Sequence, residues 1–249
     1  MPKLKTVFSL LFGNPQQKYE SRFKLLSYLA HKWGFKVYNM NLAWHKDVEY
    51  LNDFKGFSGG GKDVHDRKFV LYHLSKACKH LEANTAECGV YKGASSYLIL
   101  KAMQNSKQRT HFVFDSFEGL SVPEKNDKPD NLYSFHWKEN DLSIAEEIVH
   151  KNLIEFQHVI LLKGWIPTRF DEVKENKFCF VHIDVDLYQP TYDSFAFFYE
   201  RTVKDGMIVC DDYGFESCPG ARKAMDDFFK DKPEHIIHLS TGQSFVIKQ

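Results

Sequence analysis

The sequence predicts an open, mostly parallel α/β sheet with helices on both faces, preceded by a helical extension. From about residue 85 onward, apolar runs of strand length alternate with segments of helical period, which is the pattern of parallel strands joined by crossover helices. Two apolar runs separated by a Thr-Gly-Gln turn close the chain and predict an antiparallel strand there. The first 80 residues lack this alternation. We therefore expect a helical extension over 1–80, with a lid or oligomerisation role, and a sheet domain over 81–249.

The elements follow from the same periodicities, taken in chain order. In the extension, helical periodicity covers 16–32 and 67–81. Seven strand-like runs, rich in β-branched and aromatic residues, lie at 85–91, 110–115, 158–165, 178–186, 206–212, 235–240 and 244–249. The helices predicted after the first five strands cover 93–106, 143–153, 168–176, 190–203 and 218–231.

The composition indicates a folded protein without a charge bias. The chain has 249 residues, 43% of them hydrophobic, and its 33 basic residues balance 33 acidic ones. Such a chain has no global field that would attract nucleic acid, so we expect no nucleic-acid partner. No uncharged apolar stretch is long enough to span a bilayer, and the N-terminal apolar run is too short for a signal peptide. We expect a cytoplasmic protein, and weak peripheral membrane association through the N-terminal segment stays open.

The five cysteines show no metal-binding or redox spacing. Three of them lie inside apolar strand-like runs, where cysteine usually serves as a small core residue. We therefore interpret all five as reduced and structural. They are Cys78, Cys88, Cys179, Cys210 and Cys218.

A glycine-rich segment at 59–62 has some features of a phosphate-binding loop. Gly56 lies five residues before Gly61, as in a Walker loop, but Asp63 stands where that loop needs Ser or Thr, and no strand precedes it. The segment is more typical of a flexible turn or lid hinge before a helix.

The first predicted strand ends in a glycine turn, ECGVYKG, at residues 87–93. In open α/β sheets, ligands bind outside the carboxyl ends of the strands, and glycines in the first turn let the backbone approach them. The Gly-x-x-x-Gly spacing differs from the dinucleotide fingerprint and favours an adenosine ligand without phosphates, such as S-adenosylmethionine. The residues that we assign to this cofactor are Glu87, Gly89, Val90, Tyr91, Gly93 and Ser95.

Two further strand ends offer cofactor contacts. Asp115, followed by Ser116, ends the second strand, where an acid can accept hydrogen bonds from ribose hydroxyls or can simply cap a turn. Trp165 ends the third strand and could stack on an adenine or belong to the core. Together with the glycine turn, these positions favour cofactor binding by Asp115, Ser116 and Trp165.

The most informative feature is a set of carboxylates at the ends of the fourth and fifth strands. The runs FVHIDVDLY (180–188) and GMIVCDDYG (206–214) both end in paired aspartates. Carboxylates that converge raise each other's pKa unless a cation lies among them, and a ligand set of oxygens suits Mg²⁺, Ca²⁺ or Mn²⁺. We expect a metal at Asp184, Asp211 and Asp212, with Asp186 as a helix cap or an outer hydrogen-bonding partner.

Two features near these sites allow more than one role. His182 lies on the same strand face as Asp184 and either supports the metal ligands or is packed in the core. The segment 116–140 is too long for an ordinary connection between a strand and a helix, which favours a functional lid or substrate loop.

Five blocks of sequence resemble the macrocin-type O-methyltransferases, metal-dependent enzymes that methylate sugar or phenolic hydroxyls of natural products. The blocks run in the family's order and cover about residues 60–249. They are AECGVYKGASS, FDSFEGL, the Gly-Trp pair at 164–165, HIDVDLYQPTYDS and IVCDDYGFESCPGARKAMDDFF.

The resemblance implies a class I methyltransferase fold, Rossmann-like, with S-adenosylmethionine over the first two strand ends. It also implies a Mg²⁺ site at Asp184, Asp211 and Asp212, with Asp184 as the general base that takes the proton of a sugar hydroxyl. The chain departs from many relatives at Tyr91 and Lys92, where they have smaller residues, and this affects the expected cofactor contacts.

Two alternative functions remain open from the sequence, together with the oligomeric state. Asp184-Val185-Asp186 is also a D-x-D motif of the kind that holds Mn²⁺ in glycosyltransferases, and a methyltransferase fold can act as an inactive binding subunit. Apolar positions in the helical extension exceed what one sheet should cover, so we expect a homo-oligomer, most simply a two-fold dimer. The acceptor itself is not identified by the sequence.

Overall fold

The computed structural model of the chain describes residues 4–34, 39–59, 65–104, 109–130 and 136–249. Contacts divide the chain into two compact units, residues 1–52 and 53–249. The boundary expected at residue 80, and the lid or oligomerisation role of the extension, stay predictions. Most of the glycine-rich segment, and with it the predicted hinge, lies outside the described residues.

The second unit contains a seven-stranded sheet. Its strand order is β3-β2-β1-β4-β5-β7-β6, and β7 runs antiparallel to β5 while β1 to β5 are parallel. This confirms the predicted open, mostly parallel sheet. The strands are β1 (Asn84–Cys88), β2 (His111–Asp115), β3 (Val159–Lys163), β4 (Phe178–Ile183), β5 (Thr202–Cys210), β6 (Ile237–His238) and β7 (Ser244–Ile247).

Helices cover both faces of this sheet, as predicted. On one face α4 and α5 pack on β4, β5 and β7 through side chains such as Leu71, Ile99 and Phe180. On the other face α7 and α8 bury Phe195, Phe198 and Met225 against the strands. The helices are α4 (His65–Ala77), α5 (Ala94–Met103), α6 (Glu146–Leu153), α7 (Tyr188–Tyr199) and α8 (Pro219–Phe229).

The central strands β1, β4 and β5 end at one edge of the sheet. All six residues of β4 are buried, as expected for a strand covered on both faces. The amide of Asp184 donates to the Cys88 carbonyl at 2.8 Å, and the amide of Asp211 donates to the Ile183 carbonyl at 2.9 Å. The residues that follow β4 and β5 are therefore neighbours, as the sequence predicted.

Most predicted elements differ from the observed ones by a few residues at their ends, and two helices have a structural explanation for the difference. The helix expected over 190–203 ends at Tyr199, and β5 already begins at Thr202, because Thr202 pairs with Phe178 of β4 and β-branched residues favour a strand. The helix expected over 168–176 is only a 3-10 turn, Phe170–Val173. Phe170 and Val173, the two ends of that turn, are both buried, and the short connection packs against the core as a single turn and not as a longer helix.

The first unit is helical, as expected from its periodicity. It contains α1 (Leu4–Phe12), α2 (Pro15–Lys32), a 3-10 helix (Asn39–Lys46) and the start of α3 (Val48–Lys55). Asn14 caps α2 in a reciprocal capping box with Gln17. Among the described helices of the chain, none is both long and apolar enough to cross a membrane.

Candidate active site

A cavity of about 560 Å³ lies over the carboxyl ends of the central strands. The residues predicted for the cofactor and those predicted for the metal meet there, although they come from strands far apart in sequence. Predicted residues that line the cavity are Gly89, Tyr91, Asp115, Ser116, Trp165, Asp184, Asp211 and Asp212.

The glycine turn has the backbone conformation that the sequence indicated. Gly89 and Gly93 adopt φ angles of +80° and +87°, in the left-handed region that glycine tolerates best. A Cβ atom at Gly89 would overlap the carbonyl oxygen of Asp184. The close approach of β1 to the end of β4 therefore requires glycine at position 89, whether or not a cofactor binds. A Gly89→Val variant would for this reason disturb folding as well as cofactor binding.

Four residues predicted to bind the cofactor do not line the cavity. Glu87 is fully buried beneath the turn, and Val90 and Ser95 are also buried. Ser95 accepts a 2.5 Å hydrogen bond from Lys68 Nζ. Gly93 begins α5 as its N-cap. These residues shape the turn from behind, and any direct contact of theirs with a cofactor stays a prediction.

Asp115 ties the ends of β1 and β2 together. Its Oδ2 accepts a hydrogen bond from the Val90 amide at 2.7 Å, and its Oδ1 accepts one from the Phe117 amide at 2.7 Å. Each carboxylate oxygen keeps a further lone pair, and Asp115 lines the cavity. The carboxylate is thus held in place with capacity to accept hydrogen bonds from a ligand.

A buried hydrogen-bonded chain crosses the sheet beneath the cavity. His182 is fully buried, with Nδ1 at 2.7 Å from Glu87 Oε1 and Nε2 at 3.2 Å from Asp211 Oδ1. Glu87 also accepts a hydrogen bond from Ser96, which lies 2.9 Å from His111 Nε2. Burial, followed by the charge of His182, lowers the pKa of His111 to about 3. His182 is therefore buried in the core and also contacts Asp211, so both roles considered for it stay predictions.

Asp211 is further restrained by two side chains that the sequence did not suggest. Gln243 Nε2 donates to Asp211 Oδ1 at 2.6 Å. The Arg67 guanidinium forms an ion pair with Asp211 and lies 3.6 Å from Asp212 Oδ1. Its Cζ lies 4.5 Å from the centroid of the Phe215 ring. A positively charged side chain of the protein thus contacts both Asp211 and Asp212.

Asp186 and Asp212 form the second part of the acidic site. The Asp186 amide donates to Asp212 Oδ2 at 3.2 Å, and Cys218 Sγ donates to Asp186 Oδ1 at 3.4 Å. Burial, followed by the charge of Asp184, raises the pKa of Asp186 to about 7. Burial, followed by the charges of Asp186 and Asp184, raises the pKa of Asp212 well above its ordinary value. Asp186 thus joins this acidic site instead of capping α7.

The donor set fits a hard divalent cation. Ligand atoms of His182, Asp184 and Asp211 lie within 4.8 Å of one another, and those of Asp186, Asp212 and Cys218 form a second such group. The structure therefore places the three predicted metal ligands in two adjoining groups. Carboxylate oxygens supply two of the three possible ligand atoms in each group, and burial, followed by the charges of neighbouring aspartates, raises the pKa of Asp186 and Asp212.

Lys68 is a charged cavity residue that the sequence did not suggest. It follows Arg67 on α4 and lines the cavity. Burial lowers its pKa, and the charges of Asp184 and Glu87 oppose that effect. Nothing in the local pattern of HDRKFV marks Arg67 and Lys68 as site residues, because α4 precedes the first strand and reads as part of the helical extension.

The long segment 116–140 contributes to the cavity wall, within the part that the structure describes. Leu120, Glu124 and Trp137 line the cavity. Asp127 fixes the segment to the start of α7, since its Oδ1 accepts a 2.6 Å hydrogen bond from the Tyr188 amide. The segment thus borders the ligand space, as a substrate loop must, and its movement as a lid stays a prediction.

Sequence comparison relates this chain to methyltransferases of natural-product pathways. The family described as macrocin O-methyltransferase (TylF) matches residues 74–239. A demethyldecarbamoylnovobiocin O-methyltransferase of Streptomyces niveus is 27% identical over 157 residues, which are 60% of this chain and 59% of that protein. A tetracenomycin 4'-O-methyltransferase of Streptomyces olivaceus, acting on a dimethoxyrhamnosyl derivative, is 27% identical over 57% of this chain and 56% of its own length. The chain thus matches less than two thirds of either relative.

Solved structures share the fold. The O-methyltransferase NovP superposes with a TM-score of 0.58 at 24% identity, over 72% of this chain and 79% of that one. A calicheamicin methyltransferase superposes with a TM-score of 0.57 at 14% identity, over 98% and 91% of the two chains. The sheet is therefore that of a class I methyltransferase. Because the family match spans two thirds of the residues, the chain belongs to the macrocin O-methyltransferase (TylF) family.

Proposed function

We propose that this protein is an O-methyltransferase that uses S-adenosylmethionine and a divalent cation, in the first place Mg²⁺, to methylate a hydroxyl of a sugar or glycoside. The observation that carries the proposal is one cavity in which the glycine turn and Asp115 face the acidic site of Asp184, Asp211 and Asp212. The two relatives are named as O-methyltransferases. A methyltransferase of the same fold has been solved with S-adenosylhomocysteine.

The cofactor would lie over the ends of β1 and β2. When bound, S-adenosylmethionine supplies an electrophilic methyl group on a sulfonium. Asp115, already fixed by two backbone amides, is placed to accept hydrogen bonds from the ribose hydroxyls. Trp165, 39% exposed and in the cavity wall, offers an aromatic face for the adenine.

The acidic site would hold the cation and receive the proton. Asp184, Asp211 and Asp212 would be its ligands, and the cation when bound lowers the pKa of the acceptor hydroxyl and orients it. Asp184, half-buried at the cavity wall, would take the proton of the hydroxyl, while the cofactor would supply the methyl group with cleavage of its sulfur–carbon bond. Asp211 keeps its orientation through His182 and Gln243, so the ligand geometry does not depend on the substrate.

The glycosyltransferase alternative has less support than methyl transfer, because the matching family and both relatives are named as O-methyltransferases. Asp184 and Asp186 both line the cavity, so a ligand-binding experiment has to separate the two functions. The cytoplasmic location and the homo-oligomer remain predictions.

The direct test is to incubate the protein with S-adenosylmethionine, Mg²⁺ and candidate glycans or glycosides, and to measure the mass gain of one methyl group. Calorimetric titration with S-adenosylhomocysteine and with UDP-sugars distinguishes a methyltransferase from a glycosyltransferase. Binding of a UDP-sugar in place of S-adenosylhomocysteine would contradict the proposal. Cofactor binding without turnover on any acceptor would favour the inactive binding subunit.

A further inference from the structure

Helix α1 presents its apolar face outward. Leu4, Val7, Phe8, Leu11 and Phe12 recur at the spacing that places them on one side of a helix. All five are exposed, from 46% for Val7 to 91% for Leu4. An amphipathic helix in a globular unit normally buries this face, so its exposure indicates a surface that meets an apolar medium. We call these five residues the α1 surface.

Helix α2 carries a second exposed apolar stripe. Leu26, Leu29 and Trp33 follow one another at helical spacing, and Trp33 is 71% exposed. Among the described residues of this unit, the exposed aromatic side chains are thus Phe8, Phe12 and Trp33. Aromatic residues of this kind prefer the boundary between lipid headgroups and acyl chains.

The first unit is also strongly basic, although the chain as a whole is neutral. Residues 1–52 contain eight Lys and Arg but only three Asp and Glu, a net charge of +5. Because the whole chain is balanced at 33 and 33, residues 53–249 carry −5. The exposed basic side chains of the described part of this unit include Lys5, Arg22, Lys24, Lys32 and Lys46.

We propose that residues 1–52 dock the protein on an anionic membrane surface, with the α1 surface inserted among the lipid headgroups and the basic residues facing anionic phosphates. Exposed apolar helices with a basic surround bind anionic lipid in this way. The expected two-fold dimer would bring the same surface of each copy together and hence place two +5 charges face to face. The charge distribution therefore favours lipid over a second copy as the partner of this surface.

The experiment is cosedimentation of the full chain with vesicles of phosphatidylcholine, alone or mixed with phosphatidylglycerol. We expect binding to the mixed vesicles that weakens as salt is raised, and little binding to phosphatidylcholine alone. The double change Phe8→Ser and Phe12→Ser should lower binding by at least about tenfold, because two large apolar side chains leave the lipid. Lys5→Glu should lower it by about fivefold or more.

Matched controls are Ile154→Ser and Lys151→Glu, which alter an exposed apolar and an exposed basic residue of the second unit and should leave binding unchanged. Circular dichroism of each variant checks folding, which exposed positions should not disturb. Equal binding by the Phe8→Ser, Phe12→Ser protein would overturn the proposal. So would a dimer in sedimentation velocity that these two changes dissociate, because a second copy would then cover the α1 surface. Neither result depends on methyl transfer.

Discussion

The two sides of the cavity hold their carboxylates in opposite ways. On the side of β1 and β2, Asp115 accepts two backbone hydrogen bonds of 2.7 Å and is complete without a cation. On the side of β4 and β5, Asp186 and Asp212 lie close to Asp184, and burial together with their mutual charge raises the pKa of both. The positive charges that oppose these acids come from the guanidinium of Arg67, which contacts Asp211 and Asp212, and from Lys68, which interacts with the charges of Asp184 and Asp212.

This difference indicates that the two sides of the cavity suit different kinds of ligand. A preorganised acid with fixed backbone donors suits a ligand that brings hydroxyl groups. A group of buried acids with incomplete compensation suits a ligand that brings positive charge. We therefore expect changes on one side of the cavity to leave the binding of the other ligand intact.

The largest effect should come from Asp184→Asn. Turnover on an accepted substrate should fall by about 10² to 10⁴, because the group that takes the proton is lost, and excess Mg²⁺ should not restore it. Affinity for S-adenosylhomocysteine should match that of the unaltered protein. Methyl transfer as a function of Mg²⁺ concentration measures the first point and calorimetry the second. Asp171→Asn, at an exposed position, is the control, and rescue of Asp184→Asn by Mg²⁺ would remove Asp184 as the base.

On the other side of the cavity, Asp115→Asn should lower the affinity for S-adenosylhomocysteine by at least about tenfold. The substitution removes a charged hydrogen-bond acceptor and weakens the hydrogen bond that holds the Val90 amide. Its Mg²⁺ affinity should not change. Calorimetric titration of both ligands into the same preparation makes the comparison. If Asp115→Asn binds the cofactor product normally, the ribose does not lie at this carboxylate.

Arg67→Gln should strengthen Mg²⁺ binding by about fivefold to tenfold, because a competing positive charge leaves Asp211 and Asp212. In the absence of metal, Arg67→Gln should have a lower melting temperature than the unaltered protein. Added Mg²⁺ should reduce this difference, because the variant binds the ion more tightly. Thermal unfolding with and without Mg²⁺ measures both effects. Arg222→Gln removes an arginine from an exposed helix pair with Asp226 and should do neither. A loss of Mg²⁺ affinity in Arg67→Gln would show that Arg67 supports the metal and does not compete with it.

A smaller effect concerns pH. The folded pKa of Asp186 is about 7, whereas an unfolded aspartate titrates near pH 4. The stability that this protonated group contributes is therefore fully present below about pH 4 and is lost as the pH rises towards 7. In metal-free protein, the free energy of unfolding should fall over this range more in the original chain than in Asp186→Asn. Parallel pH profiles for the two proteins would contradict the raised pKa.

The sequence predicted the sheet and the acidic residues because each strand, with the aspartates that follow it, is a short continuous stretch of the chain. Asp184 and Asp211 follow buried apolar strands, so the parallel arrangement alone brings them together. Arg67 and Gln243 reach Asp211 from α4 and from the closing hairpin, and no local pattern encodes contacts over such separations. For the same reason the sequence suggested a cofactor role for Gly89, whereas its nearest constraint is the carbonyl of Asp184, the residue that follows β4.

The central claim is that the carboxyl ends of β4 and β5 bind one divalent cation. Calorimetric titration of Mg²⁺ into the metal-free protein at pH 7, in two buffers of different ionisation enthalpy, tests it without any acceptor. We expect one bound ion per chain with release of protons, because Asp186 and Asp212 have raised pKa values and cation binding favours their ionised forms. Asp211→Asn and Asp212→Asn should each abolish most of this binding, while Asp115→Asn should retain it. Absence of Mg²⁺ binding, or binding that survives both Asp211→Asn and Asp212→Asn, would contradict the claim.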